Sequence, residues 1–404
     1  MNALTFYFQV HQPYRVRNYG FFDLGQYHDY FDTNKNIEIL NKVSEKCYLP
    51  ANQVFYDLIK KYKGEFKIAF SLSGVFLEQL ETWRPDVLAS FQRLVDTGCV
   101  ELCAETYFHS LSFLYSKEEF NTQVEMHEST ITRLFGVQPQ IFRNTELIYN
   151  NEIAEYVAGM GYKGIIAEGV DWLLNGRTPN YLHHPPGLSD FPILLKNYKL
   201  SDDIAFRFSN RAWKEFPLSA DKFSTWAHSV AGNGDTINLF MDYETFGEHQ
   251  WEDTGIFEFL RHLPEQIMRH PDFKFMTPSE VIDAYPVRGE YDVPMITSWA
   301  DMERDLSAWR SNSIQHEALD RIYQLEKAVL ESKDKLMIHD WRKLTTSDHF
   351  YYMCTKYWSD GDVHKYFSPY DSPTDAYNYF VNAVNDLEYR IRAKQDHLFQ
   401  PITA

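Results

Sequence analysis

The chain has 404 residues, of which 44% are hydrophobic and 16% aromatic, and its formal net charge is −18. This length is enough for one large catalytic domain and a smaller second one. The charge argues against a nucleic acid or an anionic membrane as partner, because both need clustered Lys and Arg and the sequence has no basic run. The aromatic content suits a protein that stacks on sugar faces, although most of these rings must fill the core.

The first two-thirds of the chain alternates short apolar runs with longer amphipathic ones. Residues 118–135 and 151–160 have helical spacing; Gly136 is suited to end the first helix, and Asn150 or Asn151 to cap the second. Repeated strand–helix units predict an α/β fold with a parallel sheet, and their number favours a barrel over an open sheet. The predicted strands are residues 4–10, 66–72, 99–104, 140–143, 164–167 and 236–241.

The pattern changes near residues 286–294, and the remainder of the chain is predicted to be helical. Apolar residues follow helical spacing from Ile314 to Val329 and again from Tyr377 to Ile391. Between these helices, residues 345–375 are rich in Tyr, Trp, Asp and Gly, which a simple connection rarely needs. We interpret this segment as a loop or broken helix that reaches the active site; the alternative is an aromatic cluster beneath a loop.

The four cysteines do not have the spacing of a zinc site. Cys99 and Cys103 would lie on one face of a strand but roughly 13 Å apart, too far for a disulfide, so free thiols in a reducing compartment are expected. The N-terminus has no signal-peptide pattern, and no apolar run approaches the roughly 18 residues of a membrane span. We therefore expect a cytoplasmic protein.

Polar residues stand at or near the ends of two of the predicted strands. His11 directly follows residues 4–10, where a histidine can donate into a cleft, although such a residue more often sits in an ordinary turn. Glu101 falls inside strand 99–104, where an unpaired carboxylate is costly, so it either points outward or lines a polar cleft. Glu105 lies near the end of the same strand.

Two further strand ends carry carboxylates. Glu146 lies between a strand and a capped helix, and Arg143 could favour its ionised form, as a nucleophile requires; a simple Arg–Glu pair is the alternative. Asp242 and Glu244 follow the apolar run 237–241, and residues two apart share one face of an extended chain. Strand C-termini are where α/β barrels assemble their chemistry.

Several carboxylates and a histidine around one barrel mouth fit glycoside hydrolysis, which uses one carboxylate to attack or steer water and another to donate a proton. The same residue types also fit a metal site. Adjacent His183 and His184 weigh against a metal, because neighbours on an extended strand face opposite sides.

Five segments in chain order resemble the motif regions of glycoside hydrolase family 57, with the greatest similarity to its α-amylase branch. The match runs through nearly the whole chain, and five motifs in order with sensible spacing are a strong signal. The segments are His11-Gln12-Pro13, residues 98–111, Phe142-Arg143-Asn144-Thr145-Glu146, residues 242–249 and residues 345–379.

The resemblance implies an incomplete (β/α)7 barrel, expected over residues 1–290, and a C-terminal helical domain, 291–404, that contributes to the active-site cleft. It implies a retaining hydrolase of α-1,4-glucosidic bonds in starch, glycogen or maltodextrins, without a metal or other cofactor. Glu146 takes the nucleophile position and Asp242 the general acid/base position. The implied substrate contacts are His11, Glu101, Glu244, Asp348 and Trp358.

Three other functions stay open at this point. A 4-α-glucanotransferase would use the same covalent intermediate with a second sugar in place of water. A weakly active α-glucan-binding protein would keep the aromatic cleft, but the filled Glu146 and Asp242 positions count against it. A metal-dependent deacetylase could be built on a similar barrel. Asn144 and Thr145 differ from the residues of other branches, so neither a branching nor a transglycosylating specificity is carried over.

Overall fold

The computed structural model describes residues 1–358 and 363–398. The strands are β1 (Asn2–Val10), β2 (Ile68–Leu72), β3 (Val100–Leu102), β4 (Ile141–Arg143), β5 (Gly164–Glu168), β6 (Leu182–His184), β7 (Ile193–Lys196), β8 (Thr236–Asp242), β9 (Phe273–Phe275) and β10 (Val287–Glu290). The helices are α1 (Thr33–Val43), α2 (Leu49–Lys61), α3 (Gly74–Trp83), α4 (Pro85–Val95), α5 (Lys117–Phe135), α6 (Asn151–Gly159), α7 (Asp171–Leu174), α8 (Tyr198–Ala205), α9 (Ala220–His228), α10 (Ile256–Met268), α11 (Pro278–Ala284), α12 (Ser313–Gln324), α13 (Glu326–Glu331), α14 (Lys335–Leu344), α15 (Ser347–Tyr351), α16 (Val363–Phe367) and α17 (Pro373–Leu398).

The chain forms two compact units. The first contains residues 1–11, 39–106 and 124–299, and the second contains 12–38, 107–123 and the chain from 300 onward. The family resemblance instead predicts a single boundary after residue 290. The two inserted segments belong to the second unit because their hydrogen bonds run to its helices: Tyr30 donates to Asp386, and Glu119 accepts from Arg342.

Seven parallel strands form the ring of the first unit. Strand β1 pairs with β2 and β8, β2 with β3, and β5 with both β4 and β7. A parallel bridge between Ala104 and Phe142 joins β3 to β4, and Asn197 N donates to Asn238 O at 2.9 Å between β7 and β8. The ring order is therefore β1-β2-β3-β4-β5-β7-β8. This confirms the predicted (β/α)7 barrel, whose contact between β7 and β8 is a junction of few bonds rather than a full ladder.

Side-chain alternation divides the barrel interior into two layers. Each ring strand, or in β3 the residue directly after it, places a buried residue in an inner apolar cluster at the same level: Tyr7, Ala69, Cys103, Ile141, Ile166, Leu194 and Phe240. Two positions further along each strand the side chain returns to the same face, and there it is polar. These seven residues are Gln9, Ser71, Glu105, Arg143, Glu168, Lys196 and Asp242. We call them the polar layer; it lies at the carboxyl ends of the strands.

Several features expected from the sequence are present. All six predicted strands lie in the ring, and Asn150 caps α6 by accepting from Ile153 N at 2.9 Å. The four cysteines are free and buried. Segment 345–375 is a broken helix, containing α15 and α16, although its residues 359–362 lie outside the described chain. No helix in the described residues has the length and apolar character needed to span a bilayer.

A buried carboxylate on α17 anchors the first inserted segment of the second unit. Asp386 is 0% exposed and accepts hydrogen bonds from Gly25 N and Tyr30 Oη, each at 2.7 Å. His28 Nδ1 lies 2.7 Å from the same carboxylate. Each donor would be left without this acceptor if the carboxylate were removed, and an unmet buried donor is costly.

Replacing Asp386 with Ala should lower the free energy of unfolding by about 2–4 kcal/mol, measured by urea denaturation. The matched control is Glu388→Ala, which removes a carboxylate from the same helix that pairs with the exposed side chain of Arg392 and is expected to cost less than about 1 kcal/mol. Equal losses for the two variants would contradict the anchoring role of Asp386.

Candidate active site

Glu146 lies in a strained turn directly after β4. Its backbone has φ 57° and ψ 25°, and Leu147 follows with φ 50°. Non-glycine residues rarely adopt this left-handed conformation, which persists only where the surroundings enforce it. Trp299 does so twice: its backbone N donates to Glu146 O at 3.2 Å, and its indole Nε1 donates to Glu146 Oε2 at 2.8 Å. The Glu146 side chain is partly exposed, with one carboxylate oxygen fixed in direction.

Asp242 is the last residue of β8 and pairs in register with Gln9 of β1, so it faces the barrel interior. It is partly exposed. A short 3₁₀ turn, Tyr243–Thr245, begins at once, and its carboxylate Glu244 is 8% exposed and accepts from the hydroxyl of Tyr48. The turn interrupts the alternation from which the sequence analysis placed both carboxylates on one face.

The loop after Asp242 is fixed by a close approach of two backbones. Gly247 has φ 119°, and a Cβ atom at this residue would lie 1.9 Å from the carbonyl oxygen of Lys46. Glycine is therefore required both for its conformation and for the missing side chain. The next residue, Glu248, pairs with Lys42 at 2.5 Å. These contacts fix the start of the loop that carries Glu244.

A hydrogen-bonded network occupies the part of the polar layer formed by β1, β2 and β3. Glu105 is 0% exposed and accepts from Gln9 Nε2 at 3.0 Å and from Ser71 Oγ at 2.6 Å. His11 lies two residues after Gln9, and its Nδ1 atom is 2.6 Å from the Oγ atom of Ser73. Pairing of this kind is what a buried carboxylate needs in order to stay in the interior.

Glu101 lies away from this network, although it was a candidate sugar contact. It stands four residues before Glu105, roughly 13 Å along the strand. Its carboxylate accepts from the backbone N of Ser279 at 2.9 Å and from the Ser279 hydroxyl, at the start of α11. Burial raises the pKa of Glu101, and the Ser279 hydrogen bonds oppose that shift. These contacts are those of a carboxylate that caps a helix, and we leave Glu101 out of the proposed site.

Two buried cations flank the indole ring of Trp299. Arg143 is 0% exposed with its guanidinium carbon 5.0 Å from the ring centre, and Lys196 is 4% exposed with Nζ at 5.3 Å. Lys196 lies 3.5 Å from Glu168 and 3.4 Å from Asp202. The guanidinium nitrogens of Arg143 have no hydrogen-bond partner among the described residues. The direct Arg143–Glu146 pair that the sequence left open is therefore not formed.

The chain is similar in sequence and in fold to known proteins. Residues 5–294 match the model of glycosyl hydrolase family 57. A Methanocaldococcus jannaschii protein provisionally named alpha-amylase is 44% identical over 405 residues, covering 96% of this chain and 85% of that protein. A 4-alpha-glucanotransferase of Thermococcus litoralis is 20% identical over 312 residues, which cover 76% of this chain and 43% of the longer relative.

The chain belongs to glycoside hydrolase family 57. The resemblance drawn from the five motifs is thereby confirmed, and the protein is a glycoside hydrolase. A solved structure agrees in fold: the GH57-type branching enzyme of Pyrococcus horikoshii has a TM-score of 0.69 at 17% identity, covering 95% of this chain and 88% of that one.

The second unit of this family-57 enzyme holds the other two candidate residues. Asp348 is in the first turn of α15, and the hydroxyl of the buried Tyr352 lies 3.5 Å from it. Trp358 is partly exposed, and Lys365 Nζ lies 5.2 Å from its ring centre. Their roles as sugar contacts stay predictions.

Three members of this site were not singled out from the sequence: Trp299, Lys196 and Glu168. Lys196 and Glu168 had a signal that could have found them, since each stands at the carboxyl end of an apolar run. Trp299 had none, because it is in a loop 153 residues from Glu146. Within residues 1–358 and 363–398, no three His, Cys, Asp or Glu side chains are grouped as a metal site would need.

A buried ion pair lies within the second unit. His364 is 0% exposed, and its Nε2 lies 3.2 Å from both carboxylate oxygens of Asp301. Burial disfavours the charged ring, but the Asp301 hydrogen bond and the contact with Cys354 outweigh it and raise the pKa of His364 to about 9. Lys356 lies 3.3 Å from the same Asp301 carboxylate.

Replacing Gly247 with Ala should lower the free energy of unfolding by at least about 3 kcal/mol, because the new methyl group meets the Lys46 carbonyl. The control is Gly255→Ala, which has φ 85° but nothing within 4 Å of the new Cβ, and should cost only about 1–2 kcal/mol. Thermal and urea unfolding measure both. A smaller loss for Gly247→Ala than for the control would refute the close approach.

The His364–Asp301 pair predicts a pH-dependent stability. The folded-state pKa lies above the ordinary value of about 6.5, so the stabilisation is fully present below pH 6.5 and is lost as the pH rises through about 9. The difference in unfolding free energy between the wild type and His364→Gln should therefore shrink over that window. A difference that stays constant from pH 6 to pH 10 would contradict this assignment.

Proposed function

We propose that this family-57 enzyme hydrolyses α-1,4-glucosidic bonds of starch, glycogen or maltodextrins with retention of configuration. Glu146 is the proposed nucleophile and Asp242 the proposed general acid and base. The family assignment supports the reaction class, and the name of the Methanocaldococcus relative supports the glucan. A neutral, hydroxyl-rich substrate is also compatible with a net charge of −18.

One observation carries the assignment. In the polar layer, six of the seven residues are buried, and Asp242 is the one that is partly exposed. Glu146 follows β4 and is also partly exposed. In the ring, two strands, β5 and β7, separate β4 from β8 on one side, and three strands separate them on the other. Two accessible carboxylates thus stand on opposite arcs of one barrel mouth, as a two-carboxylate glycosidase requires.

In the first proposed step, Glu146 attacks the anomeric carbon of the glucose unit. Its Oε2 accepts from Trp299 Nε1, which fixes the plane of the attacking carboxylate. The bond to the leaving oxygen breaks, and Asp242 gives that oxygen its proton. Partial burial of Asp242 favours the protonated form that this step needs.

In the second step, water attacks the same carbon and Asp242 removes its proton, while the electron pair of the ester bond returns to Glu146. Two inversions at one carbon give net retention. This mechanism calls for carboxyl groups roughly 5–5.5 Å apart in the substrate complex, whereas a separation near 9 Å would indicate inversion.

The four free buried thiols fit a reducing location, so we also infer a cytoplasmic enzyme.

Glu146→Gln and Asp242→Asn should each lower kcat on maltoheptaose by at least about 10³-fold, because each removes a group that bonds or transfers a proton to the reacting atoms. Circular dichroism should show that both variants keep the fold. Reducing-sugar release measures turnover, and NMR of the first product should show the α-anomer.

The control is Glu155→Gln, an exposed carboxylate on α6, which should leave turnover unchanged. Full activity in either catalytic variant would overturn the assignment. Products longer than maltoheptaose would identify a 4-α-glucanotransferase instead. Glucan binding without turnover would identify a binding protein, and loss of activity with a chelator would support a metal-dependent enzyme.

A further inference from the structure

We propose that Trp299 is a positioning residue for Glu146, and that the buried cations Arg143 and Lys196 act through its indole ring to favour the ionised carboxylate. This inference rests on the proposed function, since it explains how the nucleophile is kept ready for attack. It adds three residues to the mechanism, none of which needs to touch the substrate.

Trp299 controls both the backbone and the side chain of Glu146. The backbone hydrogen bond of 3.2 Å supports the left-handed turn, and the indole hydrogen bond of 2.8 Å fixes the carboxylate plane. A left-handed glutamate costs about 1–3 kcal/mol unless its surroundings hold it. Since one residue makes both bonds, the orientation of the carboxylate is coupled to the strained turn that presents it.

The two cations lie close enough to polarise the indole. Arg143 and Lys196 are 5.0 and 5.3 Å from the ring centre, within the roughly 6 Å range of cation–π contacts. Both are almost fully buried, so water screens their charge little. A cation at the π face draws electron density from the ring and makes the N–H a stronger donor. That donor binds a carboxylate more strongly than a carboxylic acid, which favours ionised Glu146.

Lys196 and Arg143 differ in how far nearby carboxylates compensate their positive charges. Lys196 from β7 faces Glu168 of β5 and Asp202 of α8, so its charge is largely compensated. Arg143 from β4 has no hydrogen-bond acceptor among the described residues. Two other groups inside the barrel sense the charge of Arg143. Burial raises the pKa of Tyr7 and of Cys103, Arg143 lowers both pKa values, and Glu105 raises them. A buried guanidinium without a bonded anion leaves positive potential in the interior, and Glu146 stands three residues further along the chain.

The same arrangement assists the second chemical step. When the ester bond to the sugar breaks, its electron pair returns to Glu146 and the carboxylate regains its charge. The Trp299 N–H and the nearby cations stabilise that charge, so they make Glu146 a better leaving group. Loss of the indole donor should therefore slow breakdown of the covalent intermediate more than its formation.

Trp299→Phe tests the proposal, because it keeps an aromatic ring near both cations and removes the N–H. On maltoheptaose we expect kcat to fall about 10- to 100-fold, KM to fall with it because the covalent intermediate accumulates, and the acidic limb of the pH–rate profile to move up by about one unit. Arg143→Gln should move the limb in the same direction, and Arg143→Lys, which keeps the charge, should restore it. If Arg143→Gln does not fold, Lys196→Gln removes the other cation, keeps an amide that can donate to Glu168 or Asp202, and should move the limb in the same direction.

A second readout does not depend on turnover. With ¹³C-carboxyl-labelled glutamate, the resonance missing in Glu146→Gln identifies Glu146, and its titration can be followed by NMR. Its midpoint should rise by about one pH unit in Trp299→Phe. An unchanged midpoint together with an unchanged acidic limb would overturn the proposal and leave Trp299 a structural residue. An altered midpoint in a protein whose Glu146→Gln variant stays active would instead refute the proposed function alone.

Discussion

The two-residue period of the strands is the constraint on which this structure depends. Because side chains alternate between the two faces of a strand, seven parallel strands that each place an apolar residue inside the barrel must place their next inward residue two positions later. In every ring strand that second residue is polar. The apolar cluster closes the interior below, and the polar layer above it collects one side chain per strand at the carboxyl ends, where a parallel barrel is open. The catalytic candidates therefore stand at the edge of a packed core.

Burying so many polar groups is possible because most of them satisfy one another. Glu105 is bonded to Gln9 and Ser71, and Glu168 faces Lys196. Asp242 keeps partial access to solvent. The loops that extend the site are fixed by other means: Glu146 by a strained turn that Trp299 supports, and the chain after Asp242 by the contact of Gly247 with the Lys46 backbone. A rigid barrel and two fixed loops are what preorganised catalysis requires.

The high aromatic content has mainly a packing role in the first unit. The ring of Tyr243 is surrounded by those of Tyr48, Phe8, Phe55, Phe70 and Phe91, with centroids 4.9 to 6.2 Å away. These rings lie in the cluster between the barrel and its helices, and they support the turn that begins after Asp242. Composition could suggest sugar stacking, but burial shows that this group of rings is core.

The sequence by itself determined six of the seven ring strands, two capped helices, the family, and the two carboxylates that end β4 and β8. It could do so because these features are written in local apolar runs and in motifs that stand beside them. It missed β7, although Ile193–Leu195 is an apolar run like those of the strands that were predicted. Only the tertiary structure decided that Glu105 rather than Glu101 joins the polar layer, that segments 12–38 and 107–123 belong to the second unit, and that Trp299 bonds Glu146. Each of these depends on which residues meet across a closed ring, and no local pattern encodes a contact between positions 153 residues apart.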